Sequence, residues 1–444
     1  MEILGQILFI AVLAATGWLV YKRAILIKST ISLGKSEERT DQPARRFATM
    51  LRIAFGQKKM FDRPLIGFLH FIVYAGFILI NVEVLEIILD GLSGKHRLFS
   101  PLLGSLYPVL IGFFEFLAAG VLIACGIFLI RRTIVKTERF QPARHREMNG
   151  WPALDGKIIL LFEIVLMAAI LTMNAADSVL QDMGSTHYTQ TGNFLISQFL
   201  KPLFTGWSEP TLIIYERTAW WLHILGIFAF AVYLTYSKHL HIALAFPNTY
   251  FSHLTPKGEM NNMPEITKEV KIMLGLETPA DSANEVPERF GAKDVPDLSW
   301  KNLLDAYSCT ECGRCSAACP ANLTGKKLSP RKIMMDTRDR LEDIGRNMQA
   351  NGGNFLPDGK NLMGDYILEE EILACTTCNA CVQECPILIN PLDIILQLRR
   401  HQVMDESKAP ASWNMMFQNL DTNRAPWKFS PGDRFNWADA VKIG

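Results

Sequence analysis

Eight of the nine cysteines stand in two short runs of the same pattern. Cys309, Cys312, Cys315 and Cys319, followed by Pro320, read C-x2-C-x2-C-x3-C-P, and Cys375, Cys378, Cys381 and Cys385, followed by Pro386, repeat it. Thiolates spaced this closely read as metal ligands rather than as a disulfide framework. Zinc is the plain alternative, since four thiolates hold it tetrahedrally. Structural zinc sites pair two C-x2-C knuckles, however, and need neither a third cysteine two residues on nor a Cys-Pro. An iron–sulfur cubane per run suits the spacing better. Imidazoles are the second group of candidate ligands. His70, His223, His239 and His241 lie within or beside strongly apolar stretches, where a ligating side chain is a functional candidate by default.

The cysteine pattern resembles that of bacterial two-cluster ferredoxins, in which three closely spaced thiolates hold one cubane and the fourth reaches across to the other. That resemblance implies one 4Fe–4S cluster on Cys309, Cys312, Cys315 and Cys385, and a second on Cys375, Cys378, Cys381 and Cys319. Compact ferredoxins have little between their runs, whereas 55 residues separate Cys319 from Cys375 here. Each run is followed by a helix start, Ser329-Pro330 and Asn390-Pro391, with a capping side chain before a proline at the first helical position. Loop plus helix, twice over, is similar to the α-helical ferredoxin domain of succinate dehydrogenase iron–sulfur subunits and of heterodisulfide reductase C subunits.

The elements that position these ligands divide the chain in two. With 444 residues, 49% of them hydrophobic, it exceeds one domain and is too apolar to be wholly soluble. A net charge of +1 gives no reason to expect a nucleic-acid partner. Five apolar stretches, at 3–21, 64–89, 106–130, 158–179 and 211–236, each approach the roughly 20 residues a bilayer core requires. The first lacks a basic start and a small-residue cleavage site, and reads as a mature helix rather than a signal peptide. Eleven Lys and Arg fall in 22–63 and seven in 131–157, against two and one in the loops after the second and fourth stretches. The basic loops stay inside, which puts everything beyond Lys238 in the cytoplasm, where thiols stay reduced. The fold expected is all-α: a transmembrane domain over 1–250 in the inner membrane, a Pro- and Glu-rich linker over 251–298, a cytoplasmic dicluster domain over 299–400, and a tail over 401–444. The tail, with Trp413, Trp427 and Trp437, is expected to pack on the domain or on a partner.

At 100° per residue, His223 and His241 share one face of a continuous fifth helix, about 27 Å apart, and His239 points away. His70 lies six residues after Pro64 and His241 six before Pro247, which sets the two imidazoles at similar depth. A haem iron takes two such axial ligands from facing helices. His70 and His241 are therefore expected to hold one haem b near the inner surface, its propionates neutralised by Arg63, Arg131, Arg132 and Lys238. Here the chain resembles the gamma subunit of respiratory nitrate reductases and the membrane subunits of heterodisulfide reductase. Those proteins have five helices, and their fifth carries two His ligands 18 residues apart, the second in a Ser-Arg/Lys-x-x-His context. Ser237-Lys238-His239-Leu240-His241 and His223 match that pattern. The family's second helix carries another His ten residues after the first, where this chain has Ile80. Three roles stay open for His223: ligand of a second haem, quinone contact, or a buried hydrogen-bonded histidine. Cys125, alone in the third stretch, is a packing residue.

Glu83, Glu86, Glu115, Asp177, Glu216 and Arg217 fall in the outer halves of the helices, where they either line a quinone pocket with a proton path or form an ion-paired network. No G-x-G-x-x-G follows a strand, and the Cys-Cys-Gly repeats of catalytic heterodisulfide reductase subunits are absent. The expected function is a membrane-bound electron-transfer subunit of a respiratory oxidoreductase, resembling heterodisulfide reductase membrane and C subunits joined in one chain. Electrons would pass between a quinone pool and a soluble partner, either a separate cysteine-rich reductase subunit or an electron-transfer flavoprotein. A membrane-tethered iron–sulfur redox sensor and a ferredoxin with a purely anchoring membrane domain are the alternatives.

Overall fold

The structure, a computed structural model, describes residues 3–188, 190–192, 194–278 and 289–441. Five long apolar helices carry the N-terminal part: α1 (Ile3–Ile31), α2 (Pro64–Ser93), α3 (Tyr107–Thr133), α4 (Trp151–Asp182) and α5 (Glu209–Leu234). All are long and apolar enough to cross a membrane. Each neighbours the next in space, and α1 closes the ring by packing on both α5 and α2. Small residues let them approach: a Cβ on Gly91 of α2 would meet the Phe9 ring at 2.7 Å.

Three of the helices, α1, α3 and α4, run past the expected apolar stretches toward the cysteine-bearing part, because hydropathy marks only the lipid-facing portion of a helix. The extension of α1 is the longest. Its 29 residues span about 43 Å, against a hydrocarbon core of about 30 Å, and the extra turns have a packing role. Arg23 forms an ion pair with Glu342 at 2.5 Å, Thr30 shares a hydrogen bond with Tyr307, and Ile27 enters the core of the cysteine-bearing part.

That part is built from α7 (Trp300–Ser308), α8 (Pro330–Ala350) and α9 (Pro391–Arg400), with the cysteine runs as loops and short turns between them. Both predicted helix starts form as read: Ser329 Oγ accepts from the Lys332 amide, and Asn390 accepts from the Asp393 amide. Among the described residues there is no β-strand, so the all-α reading holds. Of the linker, 279–288 lie outside the described residues, while 264–273 form a short helix and Ala292, Val295 and Leu298 are fully buried in the core. Arg340 of α8, fully buried, holds this returning segment through Asp294 at 2.7 Å and a loop through Asp358 at 2.6 Å. The tail forms a helix, Ala411–Asn423, with no buried residue, and Trp427 and Trp437 are exposed.

One expectation fails. The fifth helix does not continue through His241: α5 ends at Leu234, a 3-10 turn covers Lys238–Leu240, and a new helix, α6, spans His241–Tyr250. Asp155 of α4 fixes the break, accepting from Ser237 Oγ at 2.7 Å and from the Lys238 amide at 3.2 Å. Counting 100° steps from His223 to His241 is therefore invalid.

Candidate redox centres

The two cysteine runs share a backbone device. In the first, Glu311 and Gly313 adopt positive φ (54° and 72°); in the second, Thr377 and Asn379, at the same positions, do likewise (56° and 60°). Left-handed residues between cysteines curl the chain and turn amides inward, the concave arrangement that suits an anionic cluster. A Cβ at Gly313 would lie 2.5 Å from the Arg331 guanidinium, which adds a steric demand for glycine at that site. The Thr377 amide donates to Cys375 Sγ at 3.4 Å and the Ile389 amide to Cys385 Sγ at 3.2 Å.

The thiols group crosswise. Cys309, Cys312, Cys315 and Cys385 line one pocket. Cys319 lies within electrostatic reach of Cys375 and Cys378, and Cys381 within reach of all three. Cys315 of the first group also feels Cys381 of the second, so the two groups adjoin. Among the described residues no three His, Cys, Asp or Glu side chains converge on a single-ion position. Burial pushes the thiols of Cys309, Cys381 and Cys385 up to about 12, so their thiolate forms at neutral pH need a metal's positive charge. Of the eight, Cys378 alone is exposed.

The first group sits directly under the bundle, held by residues of which the sequence singled out Lys238 alone. Arg314, between Cys312 and Cys315, donates to the Lys59 carbonyl at 3.0 Å, and Lys59 Nζ donates to the Cys385 carbonyl at 3.0 Å. Glu311 is gripped by Lys238 at 2.5 Å and Arg338 at 2.6 Å. Burial opposes ionisation of Glu311, but the two cations outweigh it and hold the carboxyl below its ordinary value. Arg331, fully buried, reaches Glu147 at 2.9 Å and the Arg139 carbonyl at 2.7 Å, both in the basic loop between α3 and α4. The basic loops and the cysteine loops therefore occupy one end of the bundle.

The histidines meet at that end. His70, on α2, lies within electrostatic reach of His241 and Arg314. Its Nδ1 faces Gln57 Oε1 at 2.9 Å, and His241 Nδ1 faces the Lys238 carbonyl at 3.1 Å. Oxygen acceptors fix both protons on Nδ1 and leave both Nε2 lone pairs free, the tautomer of a metal-ligating imidazole with an outer-shell partner. The donor set thus fits an axially ligated haem. His239 does not point away: its ring is 5.4 Å from that of His241 and 5.5 Å from Phe230, a consequence of the break after α5. Lys238, expected near the propionates, is committed to Glu311 and to the Pro152 carbonyl.

His223 is buried in the bundle, its Nδ1 facing the Leu166 carbonyl at 3.0 Å. Ile80, where the resemblance carries a second ligand, is core. At the end of the bundle away from the cysteine loops, Arg97 organises the carboxylates: it pairs with Asp177 at 2.7 Å and bonds Asn174 and Tyr107, which extend to Glu115 and Glu86. Glu216 pairs with Arg217 at 2.5 Å and accepts from Tyr188. This is the ion-paired network of the two readings offered above. Glu83 is also buried there, without a hydrogen bond among the described residues. Arg97 escaped notice because it lies in a loop, where a basic residue ordinarily reads as solvated. Cys125 is buried packing.

Residues 308–389 match the family model of a 4Fe-4S dicluster domain. The chain is 28% identical to the probable iron-sulfur-binding oxidoreductase FadF of Bacillus subtilis, over 96% of its own length and 60% of that protein's. It is 26% identical to the EtfAB:quinone oxidoreductase of Syntrophomonas wolfei, over 92% and 56% of the two lengths. The C subunit of the ferredoxin/F(420)H(2)-dependent CoB-CoM heterodisulfide reductase of Methanosarcina acetivorans is 32% identical over 24% of this chain and 52% of that one. The chain thus spans under two thirds of the length of these relatives. No solved structure matches it significantly. The expected likeness to heterodisulfide reductase subunits holds, and the chain joins a 4Fe-4S dicluster domain to five membrane-length helices.

Proposed function

We propose that this chain conducts electrons between a membrane quinone and a soluble redox protein. Cys309, Cys312, Cys315 and Cys385 would hold one 4Fe–4S cluster, Cys319, Cys375, Cys378 and Cys381 the other, and His70 and His241 would hold a haem b. Bound there, these groups supply one-electron redox chemistry. The chain's own residues orient the imidazoles through Gln57 and Lys238 and lock the cluster loops to the bundle through Arg314 and Lys59. The observation that carries this reading is continuity: His70 is within reach of Arg314, Arg314 lies between two thiols of the first group, and that group adjoins the second, which ends at exposed Cys378.

A soluble partner would approach Cys378 from the cytoplasm, the side assigned by the basic loops. The name of the Syntrophomonas relative supports both an electron-transfer flavoprotein and a quinone as the two ends of the path. A cysteine-rich reductase subunit is the partner suggested by the heterodisulfide reductase likeness.

Metal analysis with optical and EPR spectra of dithionite-reduced protein tests this. We expect about eight irons in clusters and a b-type haem spectrum that His70→Ala or His241→Ala abolishes while cluster signals persist. Zinc without iron, or a full haem spectrum in both variants, would refute it; cluster iron without haem would leave the helices as an anchor.

A further inference from the structure

The break between α5 and α6 has two sides. One presents His239 and His241; the other forms a wall of an open cavity of about 480 Å³, lined on this side by Thr235, Tyr236, Ser237 and Lys238. The floor is the acidic face of α8, with Asp339, Glu342 and Asp343, and the far wall is Tyr307 and Glu311, which flank Cys309. Trp151, at the start of α4, and Tyr236, just past α5, stand at the mouth with 52% and 59% of their surfaces exposed. Both belong to inner helix ends, where amphipathic aromatics sit at the headgroup level of a bilayer. The space is therefore continuous with the lipid interface on one side and lies beside a cluster loop on the other.

We propose that this cavity is the quinone-headgroup site of the chain, a placement that rests on the quinone reading given above. A headgroup needs aromatic or apolar walls for its ring, polar groups for its two oxygens, a lateral entrance for its isoprenoid tail and a way for protons to reach water. Tyr236, Tyr307 and Leu240 supply the first, and the polar part of the wall is two buried ion pairs, Lys238 with Glu311 and Arg23 with Glu342. The gap between Trp151 and Tyr236 is the entrance, and the carboxylates of α8 lead to solvent. Reduction takes two electrons, delivered singly from the iron centres, and two protons through those carboxylates. Both carbonyls become hydroxyls, and quinol oxidation runs the same steps backwards.

The test is titration of the full-length protein in detergent with 2-heptyl-4-hydroxyquinoline N-oxide, a quinol analogue whose fluorescence is quenched on binding, and with menadione as competitor. Tyr236→Ala, a truncation at an exposed site, and Thr235→Trp, whose indole fills the cavity, should each weaken binding at least tenfold while cluster EPR signals persist. Leu161→Ala, on the lipid-facing side of α4, should not. Unchanged binding in both cavity variants overturns the placement, as does loss of binding confined to His223→Ala. Displacement of the probe by phosphatidylglycerol but not by menadione also overturns it, marking a lipid-headgroup site. If the wild-type protein binds neither the oxide nor menadione, the quinone reading itself fails, a result distinct from failure of the placement.

Discussion

Gln57 offers the sharpest test of the haem assignment. Its side chain is 6% exposed, its backbone sits at a φ of 48°, and its Oε1 lies 2.9 Å from His70 Nδ1. In Gln57→Ala, the imidazole loses the acceptor that fixes its tautomer and ring angle, while the iron-facing nitrogen is untouched. A neutral hydrogen bond of this kind is worth about 0.5–1.5 kcal/mol net. Loss of an orienting partner typically costs about 10–100-fold in metal affinity, or about 1.4–2.8 kcal/mol. We expect haem affinity to fall within that window, measured by titrating haem-depleted membranes with haemin, with cluster EPR signals unaltered. Gln57→Glu restores the acceptor and adds negative charge, so haem should be retained with a lower midpoint potential. Wild-type loading and potential in both variants, with His70→Ala still losing haem, would show that Gln57 does not orient the ligand.

Three further outcomes follow from the geometry. Cys385→Ser should abolish the EPR signal that Cys309→Ser abolishes, and Cys319→Ser the one that Cys375→Ser abolishes; the reverse grouping would contradict the crosswise arrangement. At Glu147 burial works against ionisation, but Arg331 and Ser329 outweigh it and hold the carboxyl below its ordinary 4.5. Its contribution is therefore complete above pH 4.5 and lost as pH falls through the lower folded value, so thermal melts of Glu147→Gln should depend less on pH in that acid window than wild type. Arg97→Gln strands the buried Asp177 carboxylate and should destabilise the outer end by about 3–5 kcal/mol, seen as a lower melting temperature in detergent without loss of cluster signals.

What was legible in the sequence was whatever depended on short-range spacing. The cysteine runs, the Ser329-Pro330 and Asn390-Pro391 starts and the five apolar stretches are local patterns, and each appears in the fold. The break before His241 was not legible, because its cause is Asp155, more than eighty residues earlier and on another helix. No proline or glycine stands between Leu234 and Leu240 to mark a helix end, so the stretch reads as one helix and rotation counted along it misplaced His239. Gln57, Arg97 and Lys59 were invisible for a related reason. Each is a polar residue in a loop with nothing nearby to mark it, and its importance comes from a partner in another element, 13 residues on for Gln57, 80 for Arg97 and 326 for Lys59.

The inner end of α1 has a consequence for how the protein is made. Ile27, Ile31 and Leu33 complete an apolar core whose other members lie about 200 or more residues further along the chain, and Arg23 and Thr30 bond to α8 and α7. The end of α1 is thus a structural part of a region far from it in sequence, and that closure is the slow, long-range kind. A nascent chain that fails to insert its first helix presents an open, sticky surface beside the cysteines instead of a finished cradle. Assembly of the cysteine-bearing region is thereby made conditional on correct placement of α1.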